Sequence, residues 1–365
     1  MSVSGRKIRI VMAVTNDLVT DRRVMRHAEA LREAGCEVIL IGRNELRVKS
    51  KKTWKFYAEY NLRLWWRLLR TKCDIVWAND TDTLLASYVA AKMKMKRLVM
   101  DAHELFPEVP ELVGREKVKR MWERLERRLM PKCDALITVC QSIADYYREK
   151  YGVEMTVVRN IGVCSGECVV GSTQDQTLST IHYPLPTKML LYQGAVNLGR
   201  GVDWAIDALE WLEDCRLVIA GIGDLLEDMK KYAESKPWKD RIEFLGRLKP
   251  EELEPLTRQA SVGLVMLEDM GQSYHFALPN RIGDFIAAGV PIVVSDLPEM
   301  AAVVHRFHIG TIMEDVGARA LAEAVRKVLS REWTDADFAE ARKDMDWNKE
   351  KEKLLECLNA LMLEC

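Results

Sequence analysis

The sequence predicts an α/β protein made of two doubly wound parallel-sheet domains. Short apolar, β-branched runs such as residues 292–294 alternate with segments of helical periodicity, a pattern typical of buried parallel strands joined by helices. A chain of 365 residues is too long for one ordinary core. Periodicity is lost across residues 162–187, so this segment is predicted to contain the boundary between the domains.

The first half of the chain begins with a predicted βαβ unit. Residues 8–14 and 37–41 are predicted strands, and the helix between them ends at Gly35. The loop 15–24 lacks the G-x-G-x-x-G glycines that a dinucleotide site needs, so an NAD-dependent oxidoreductase is disfavoured. Further strands are predicted at 73–78, 96–100, 135–139 and 156–159.

The second half repeats this alternation. Its strands are predicted at 190–193, 217–220, 242–245, 262–266 and 292–294. Pro279 suits the first turn of a helix because it has no N–H to leave unpaired, and Gly289 is predicted to end that helix. The first amides and the dipole of such a helix attract an anion, and Asp284 lies about one turn inside. Phosphate and hydroxyl groups are therefore expected to bind here.

The composition excludes several classes of partner. The chain has 54 basic and 55 acidic residues, so nothing in its overall charge favours nucleic acid. Its nine cysteines are scattered without a C-x-x-C pair, which indicates a reducing, cytoplasmic location. Nowhere do eighteen uncharged apolar residues follow one another, and the N-terminal apolar run is too short for a signal peptide. We expect no membrane span.

Residues 47–72 are strongly basic, with nine basic residues against one acidic residue, Glu59. The apolar residues at helical spacing are Ala58, Leu62, Trp65, Trp66 and Leu69, and the basic residues of the adjoining stripe are Arg63, Arg67 and Arg70. Such a helix is suited to rest on an anionic membrane surface. The alternative is that the tryptophans pack on the sheet and the basic residues are only solvated.

Polar residues follow two of the predicted strands. Asp80 and Asp82 come after strand 73–78, and two carboxylates one residue apart can share a divalent metal ion, although the pattern is weakly specific. His103 comes after strand 96–100 and is flanked by carboxylates. Because the carboxyl ends of parallel strands face the ligand in open α/β sheets, His103 is the best single catalytic candidate, as a donor or proton carrier.

Several motifs resemble those of the retaining GT-B glycosyltransferases of family four. The sequence AAGVPIVVS at 287–295 is similar to the end of their donor-nucleotide motif, and DAHE at 101–104 is similar to the motif whose His contacts the donor sugar. The loop 194–201 resembles the one in which Arg and Lys neutralise the leaving diphosphate, and Arg200 takes the Lys position. Asp21 lies in a D-x-R-V sequence that faces the acceptor in the family.

The chain departs from the family pattern at three positions. Ala195 stands where the loop Arg is expected, Phe276 where the first Glu of the donor motif is expected, and Asp284 where the second is expected. Arg281 is predicted to compensate for the missing loop cation.

The resemblance implies a GT-B fold, in which two Rossmann-like domains face each other across a cleft. The implied division is an acceptor-side domain at 1–165, a linker at 166–187, a donor nucleotide-sugar domain at 188–345 and a helix at 346–365 that packs back toward the first domain. The implied site consists of catalytic His103, Arg200 and Asp284, donor-binding Gly194, Arg247, Leu248, Asn280, Arg281 and Ser295, and acceptor-side Asp21 and Asp80.

The implied activity is that of a retaining hexosyltransferase in polysaccharide biosynthesis. It would move a sugar from a nucleotide-diphosphate donor, a UDP- or GDP-sugar, to a hydroxyl of a glycan or lipid-linked acceptor, with no metal or other cofactor. Two alternatives stay open. A sugar-nucleotide epimerase can have the same fold but needs an acid and base pair, and a non-catalytic partner in glycan assembly would explain the replaced residues.

Overall fold

The computed structural model describes residues 2–3, 6–16, 18, 21–50, 53–161 and 188–363. Contacts divide the chain into two compact units. Unit 1 consists of Met1–Asn160, Gly271–Phe276 and Asn348–Cys365, and unit 2 consists of Ile161–Met270 and Ala277–Trp347. The predicted linker 166–187 lies outside the described residues, and the predicted domain boundaries stay a prediction.

Unit 1 is built on a six-stranded parallel sheet. Its strands are β3 (Arg9–Ala13), β4 (Glu37–Ile41), β5 (Ile75–Asn79), β6 (Arg97–Ala102), β7 (Ala135–Thr138) and β8 (Thr156–Val157), after a short hairpin of β1 (Ser2–Val3) and β2 (Arg6–Lys7). Their order is β4-β3-β5-β6-β7-β8. Every residue of β5 is buried, as expected for a central parallel strand covered on both faces.

Unit 1 has eight α-helices among the described residues. They are α1 (Arg22–Glu33), α2 (Arg43–Leu46), α3 (Thr53–Arg70), α4 (Thr81–Lys94), α5 (Glu116–Leu129), α6 (Gln141–Tyr151), the short α10 (Gln272–His275) and α15 (Trp347–Leu363), which belongs to this unit from Asn348 onward. All but α10 and α15 lie between its strands in the sequence. Glu350 of α15 is fully buried and accepts hydrogen bonds from the backbone N–H and Nε of Arg159 at 2.8 and 2.9 Å. The last helix is thereby fixed beside the end of the sheet of unit 1.

Unit 2 is built on a second six-stranded parallel sheet. Its strands are β9 (Lys188–Gln193), β10 (Cys215–Ala220), β11 (Ile242–Gly246), β12 (Val262–Val265), β13 (Ile292–Val294) and β14 (Gly310–Ile312), in the order β11-β10-β9-β12-β13-β14. Its helices are α7 (Val202–Ala208), α8 (Leu226–Glu234), α9 (Pro250–Gln259), α11 (Arg281–Ala288), α12 (Pro298–Phe307), α13 (Ala318–Leu329) and α14 (Ala339–Asp344). The predicted fold of two doubly wound parallel sheets is confirmed.

The basic helix α3 buries a different set of apolar residues from the stripe noted in the sequence, most of which is left exposed or half-buried. The completely buried residues are Tyr60, Leu64 and Leu68, whereas Leu62 and Trp66 are 64% and 50% exposed. The hydroxyl of Tyr60 donates to the carbonyl oxygen of Val14 at 2.6 Å, which adds a polar reason for this orientation. In the described residues, no helix has a run long and apolar enough to cross a bilayer.

Candidate functional site

The two sheets each have one point where the strand order reverses. In unit 1 this switch point lies between β3 and β5, and in unit 2 it lies between β9 and β12. Open parallel sheets bind ligands just outside the carboxyl ends of the strands at such points, because the connecting loops part there. Most of the predicted site residues lie at or next to one of these two edges.

Arg281, the first residue of α11, spans the switch point of unit 2. Its Nη1 donates to the carbonyl oxygen of Gln193 at the end of β9 at 3.1 Å, and its Nη2 donates to that of Met266, just after β12, at 3.2 Å. The guanidinium carbon lies 4.8 Å from the ring centre of Tyr192. A buried cation is thus fixed where the strand topology predicts a ligand.

The loop after β9 approaches its neighbours so closely that side chains are excluded at three glycines. A Cβ on Gly194, whose φ is +137°, would lie 2.8 Å from Nη1 of Arg281. A Cβ on Gly221 would lie 1.7 Å from the carbonyl oxygen of Gly194, and one on Gly223 would lie 2.3 Å from that of Val196. The loops that follow β9 and β10 are therefore locked together backbone against backbone.

Asp284 is held at the same edge by a chain of buried side chains. Its Oδ2 accepts a hydrogen bond from Nε2 of Gln193 at 3.1 Å, and Oε1 of Gln193 accepts one from Oγ1 of Thr257 at 2.9 Å. Gln193 and Thr257 are almost fully buried. The structure thus brings three predicted site residues together, namely Gly194, Arg281 and Asp284.

Ser295 and Asn280 lie near this group in different ways. Ser295 is buried after β13, and its Oγ accepts the backbone N–H of Leu267 at 2.9 Å, so its hydroxyl joins two strand ends. Asn280 is exposed at the N-cap of α11 without a side-chain capping bond. Its amide group is therefore open to solvent at the start of that helix.

The three remaining candidates of unit 2 lie on loops. Arg200 is half-buried in the loop before α7, whereas Arg247 is exposed and Leu248 is half-buried just after β11. The predicted donor-binding roles of these loop residues stay predictions.

The carboxyl edge of unit 1 is built from charged side chains. Nδ1 of His103 lies 3.3 Å from Oδ2 of Asp80, and its Nε2 lies 3.5 Å from Oδ2 of Asp101. The backbone N–H of His103 donates to Oδ1 of Asp80 at 2.8 Å. Burial alone would lower the pKa of His103, but the two carboxylates outweigh burial and raise this pKa to about 9.

A second layer of charge lies beneath this histidine. Arg23 of α1 forms a bidentate pair with Asp101, from Nη2 to Oδ1 at 2.6 Å and from Nε to Oδ2 at 3.1 Å, and both side chains are buried. Nδ1 of His27 lies 3.1 Å from Oδ2 of the same carboxylate. Burial and the cation of Arg23 lower the pKa of His27 to about 4, so His27 is neutral at pH 7. Asp101 stays ionised because Arg23 and His103 overcome its burial.

Asp82 and Asp80 contact different partners. Its Oδ2 accepts a hydrogen bond from Oγ1 of Thr15 at 2.6 Å, while Asp80 faces His103. Burial, with repulsion from Asp80, raises the pKa of Asp82 to about 8, so this carboxyl carries a proton at pH 7. Across the described residues, no group of three or more metal-ligating side chains could hold an ion.

Asp21 caps α1, since its side chain accepts the backbone N–H of Val24 at 3.0 Å. It also accepts a hydrogen bond from Nδ2 of Asn16 at 2.6 Å. Capping a helix is a structural role, and the predicted role of Asp21 toward an acceptor stays a prediction.

Motifs and periodicity did not indicate the partners that shape both edges. Arg23 and His27 are four residues apart on one face of α1, and two polar side chains at helical spacing inside an otherwise apolar face were the available signal. Gln193 ends an otherwise apolar strand, which is a similar signal. Nothing in the sequence indicated that Gly221 would contact Gly194.

Comparison with known proteins agrees with this architecture. Residues 20–161 match the model of Glycosyltransferase Family 4, and residues 181–351 match that of Glycosyl transferases group 1. The structure of sucrose-phosphate synthase from Thermosynechococcus elongatus is similar, with a TM-score of 0.78 and 14% identity over 98% of this chain and all of that chain. The chain belongs to the GT-B glycosyltransferases. The family prediction is confirmed at this level.

Two further proteins are similar to this GT-B glycosyltransferase. Anabaena HepE, in a crystal structure with UDP, has a TM-score of 0.70 and 12% identity over 97% of this chain and 100% of that chain. An uncharacterised glycosyltransferase of Methanocaldococcus jannaschii, MJ1607, is 25% identical over 163 residues. That match spans 43% of this chain and 40% of the relative's length.

Proposed function

We propose that this chain transfers a hexose from a nucleotide-diphosphate donor to a hydroxyl of a glycan or lipid-linked acceptor, with retention at the anomeric carbon. The observation that carries the proposal is the buried guanidinium of Arg281, fixed across the switch point of unit 2 and against the exposed Gly194. A fixed cation beside a glycine loop suits a diphosphate, because the backbone leaves room for the anion. The UDP complex of HepE supports a nucleotide donor of this class.

Departure of the nucleotide diphosphate is the costly step of such a transfer. Arg281, Arg200 and the first amides of α11 would stabilise the negative charge that grows on the diphosphate, since fixed cations and dipoles need no reorganisation. Asp284 would hold the ribose hydroxyls, and His103 would act on the donor sugar. The proposed chemistry uses no metal ion or other cofactor.

Calorimetric titration of the full chain with UDP, GDP, ADP and TDP, each with and without magnesium, tests this proposal. We expect one nucleotide, UDP or GDP, to bind selectively without magnesium. Binding should weaken at least about tenfold in Arg281→Gln, because one charge-assisted contact to a phosphate contributes about 1.5–3 kcal/mol. Arg319→Gln is the matched control, since that side chain is 81% exposed on α13. Failure of all four nucleotides to bind would favour the non-catalytic partner.

We also propose that α3 contacts an anionic membrane surface where a lipid-linked acceptor would be met. Trp54 is 71% exposed and shares a row of four-residue spacing with Leu62 and Trp66, which are also exposed. The guanidinium of Arg70 stacks 3.8 Å above the ring of Trp66. Basic residues beside exposed aromatic ones match the charge of anionic lipid. Trp65 is only half-buried and its indole nitrogen is enclosed, so Trp66 is the better anchor of the predicted pair.

Co-sedimentation with vesicles of phosphatidylglycerol and phosphatidylcholine tests the membrane proposal. Wild-type protein should bind the anionic vesicles and not pure phosphatidylcholine, and Leu62→Ser with Trp66→Ser should reduce binding at least about fivefold. Val316→Ser, at a residue 70% exposed in unit 2, should bind like wild type. Equal binding by the double variant and wild type would refute this role of α3.

A further inference from the structure

The ring of His103 is enclosed by carboxylate oxygens on two sides. Its Nδ1 lies 3.3 Å from Asp80 and its Nε2 lies 3.5 Å from Asp101, and Nε2 is shielded from solvent. A neutral imidazole has one N–H and one lone pair, so one of its nitrogens would repel the carboxylate that faces it. Only the imidazolium has an N–H on each nitrogen. With Asp80 and Asp101 both ionised, the imidazolium is therefore the form that satisfies both contacts.

Asp80 reaches this position through an unusual backbone conformation. Its φ is 61° and its ψ is 165°, a region of backbone space that is essentially confined to glycine. The surrounding structure holds it there, since its N–H donates to the carbonyl oxygen of Asp101 at 2.9 Å and its own carbonyl accepts from Oγ1 of Thr83 at 3.2 Å. Such strain is retained where it aims a functional group. Here it aims the carboxylate at both the backbone N–H and the ring of His103.

We propose that Asp80 is a positioning residue that holds His103 as a doubly protonated imidazolium at the carboxyl edge of unit 1. His103 then acts as a fixed cation and not as a general base. This role in catalysis depends on the proposed glycosyl transfer. The protonation state itself belongs to the free protein and is testable without substrate.

All the charged groups around the ring favour or tolerate this state. Asp101 comes from β6 and Asp80 from the end of β5, and both attract the ring protons. Arg23 from α1 repels them, but its charge is already paired with Asp101. Other titratable groups near this edge are His27, which is neutral, Asp82, which is protonated, Asp21 and Glu104.

The chemical consequence concerns what the ring offers to a ligand. Both N–H groups are turned toward carboxylates of the protein, so the ring presents its positive charge and its polarised C–H edge. The side chain is 18% exposed, so part of it can be reached by a ligand. A fixed cation stabilises negative charge that develops during the reaction and needs no proton transfer of its own.

Nitrogen NMR of the full chain labelled with ¹⁵N-histidine tests the proposal directly, with the ring signals of His103 assigned by their loss in His103→Gln. In wild type, both ring nitrogens of His103 should carry protons from about pH 6 to beyond pH 8. In Asp80→Asn the titration midpoint should fall by at least about one pH unit, because one of the two attracting charges is lost. In Asp80→Gly the titration midpoint of His103 should fall by the same amount, and glycine adopts this backbone conformation without strain. This second variant keeps the test valid if Asp80→Asn folds poorly.

Asp74→Asn is the matched control. Asp74 lies just before β5, at the opposite end of the strand from Asp80, and it pairs with Arg6. Asp74→Asn should leave the His103 titration unchanged. A wild-type midpoint near the ordinary value of about 6.5, or an equal midpoint in Asp80→Gly, would overturn the proposal. Lack of nucleotide binding would instead count against the proposed transfer activity and would leave the titration result standing.

Discussion

The carboxyl edges of the two sheets are both formed by parallel strands, yet they are shaped by different means. In unit 1, the edge is a cluster of buried charges in which His103, Asp80 and Asp101 hold one another. In unit 2, the edge is shaped by glycine backbone, with the single buried guanidinium of Arg281 placed against it. The first edge is therefore sensitive to charge and pH, whereas the second is sensitive to side-chain volume. Substitutions that test one property should affect only one edge.

The largest effect is expected from Gly221→Ala in unit 2. The added Cβ would lie 1.7 Å from the carbonyl oxygen of Gly194, so one of the two backbones must move. We expect a loss of at least about 4 kcal/mol in the free energy of unfolding, measured by urea denaturation. Gly246→Ala is the control, because its Cβ would meet nothing within 4 Å and only its positive φ adds a cost of about 1 kcal/mol. If Gly221→Ala and Gly246→Ala unfold at the same urea concentration, the loops after β9 and β10 are not locked together.

A somewhat smaller loss is expected from Asp101→Asn in unit 1. The substitution removes the charge that Arg23 and His103 share, and leaves two cations close together in a buried place. Breaking a buried pair in this way costs about 3 kcal/mol when the replacement still accepts one hydrogen bond. Asp134→Asn, at the half-exposed partner of Arg97, should cost much less. A loss below that of the control would contradict a charge-built edge.

Asp82→Asn should instead stabilise the protein, and more so as the pH rises. The pKa of Asp82 is raised to about 8, chiefly by burial, so the folded chain keeps a proton that the unfolded chain releases above about pH 4. The free energy of unfolding of the wild-type protein therefore decreases as the pH rises from about 4 to about 8. The neutral Asn avoids that loss. We expect a gain of about 1–3 kcal/mol at pH 8 and a smaller gain at pH 5.

Thermal or urea unfolding at the two pH values measures this gain. Asp145→Asn is the control, because Asp145 is 39% exposed and pairs with Arg148 on the surface. It should show no such dependence on pH. A destabilised Asp82→Asn at pH 8 would mean that Asp82 is charged in the folded protein.

The smallest effect is expected at the donor edge from Asp284→Glu. The longer side chain restores the residue that the family pattern expects, and its carboxylate would extend past Gln193 toward a bound ribose. We expect the affinity for the selected nucleotide to rise about threefold to tenfold, as for one improved hydrogen bond to a charged group. Asp228→Glu on α8 should leave the calorimetric affinity unchanged. If Asp284→Glu also leaves it unchanged, Asp284 has no role in holding the nucleotide.

The sequence was sufficient to predict the fold because its strands are short, apolar and regularly spaced. Residues 37–41 and 292–294 were predicted with the bounds that the structure has. The buried face of α3 was not predictable in this way, because Tyr60, Leu64 and Leu68 compete with a second apolar stripe that includes Leu62 and Trp66. Periodicity shows that a helix is amphipathic, but it does not choose between two apolar stripes.

The candidate sites were predictable only in part for a related reason. His103 was found because it lies at a strand end in a recognisable motif, but its partners Arg23 and Asp80 are distant in sequence. Their proximity depends on how strands β3, β5 and β6 align in register, which no local pattern determines. The same holds for Gly194 and Gly221, whose contact follows from the pairing of β9 with β10.

The buried pair of Arg159 and Glu350 has a consequence for how the protein is made. The two residues are 191 positions apart, so unit 1 is completed only by a segment that follows unit 2 in the sequence. On the ribosome, the first part of unit 1 emerges long before α15, and closing so large a loop must await the rest of unit 2. Synthesis of unit 1 therefore starts before that of unit 2 and is completed after it, and chaperone dependence is expected to concentrate in unit 1.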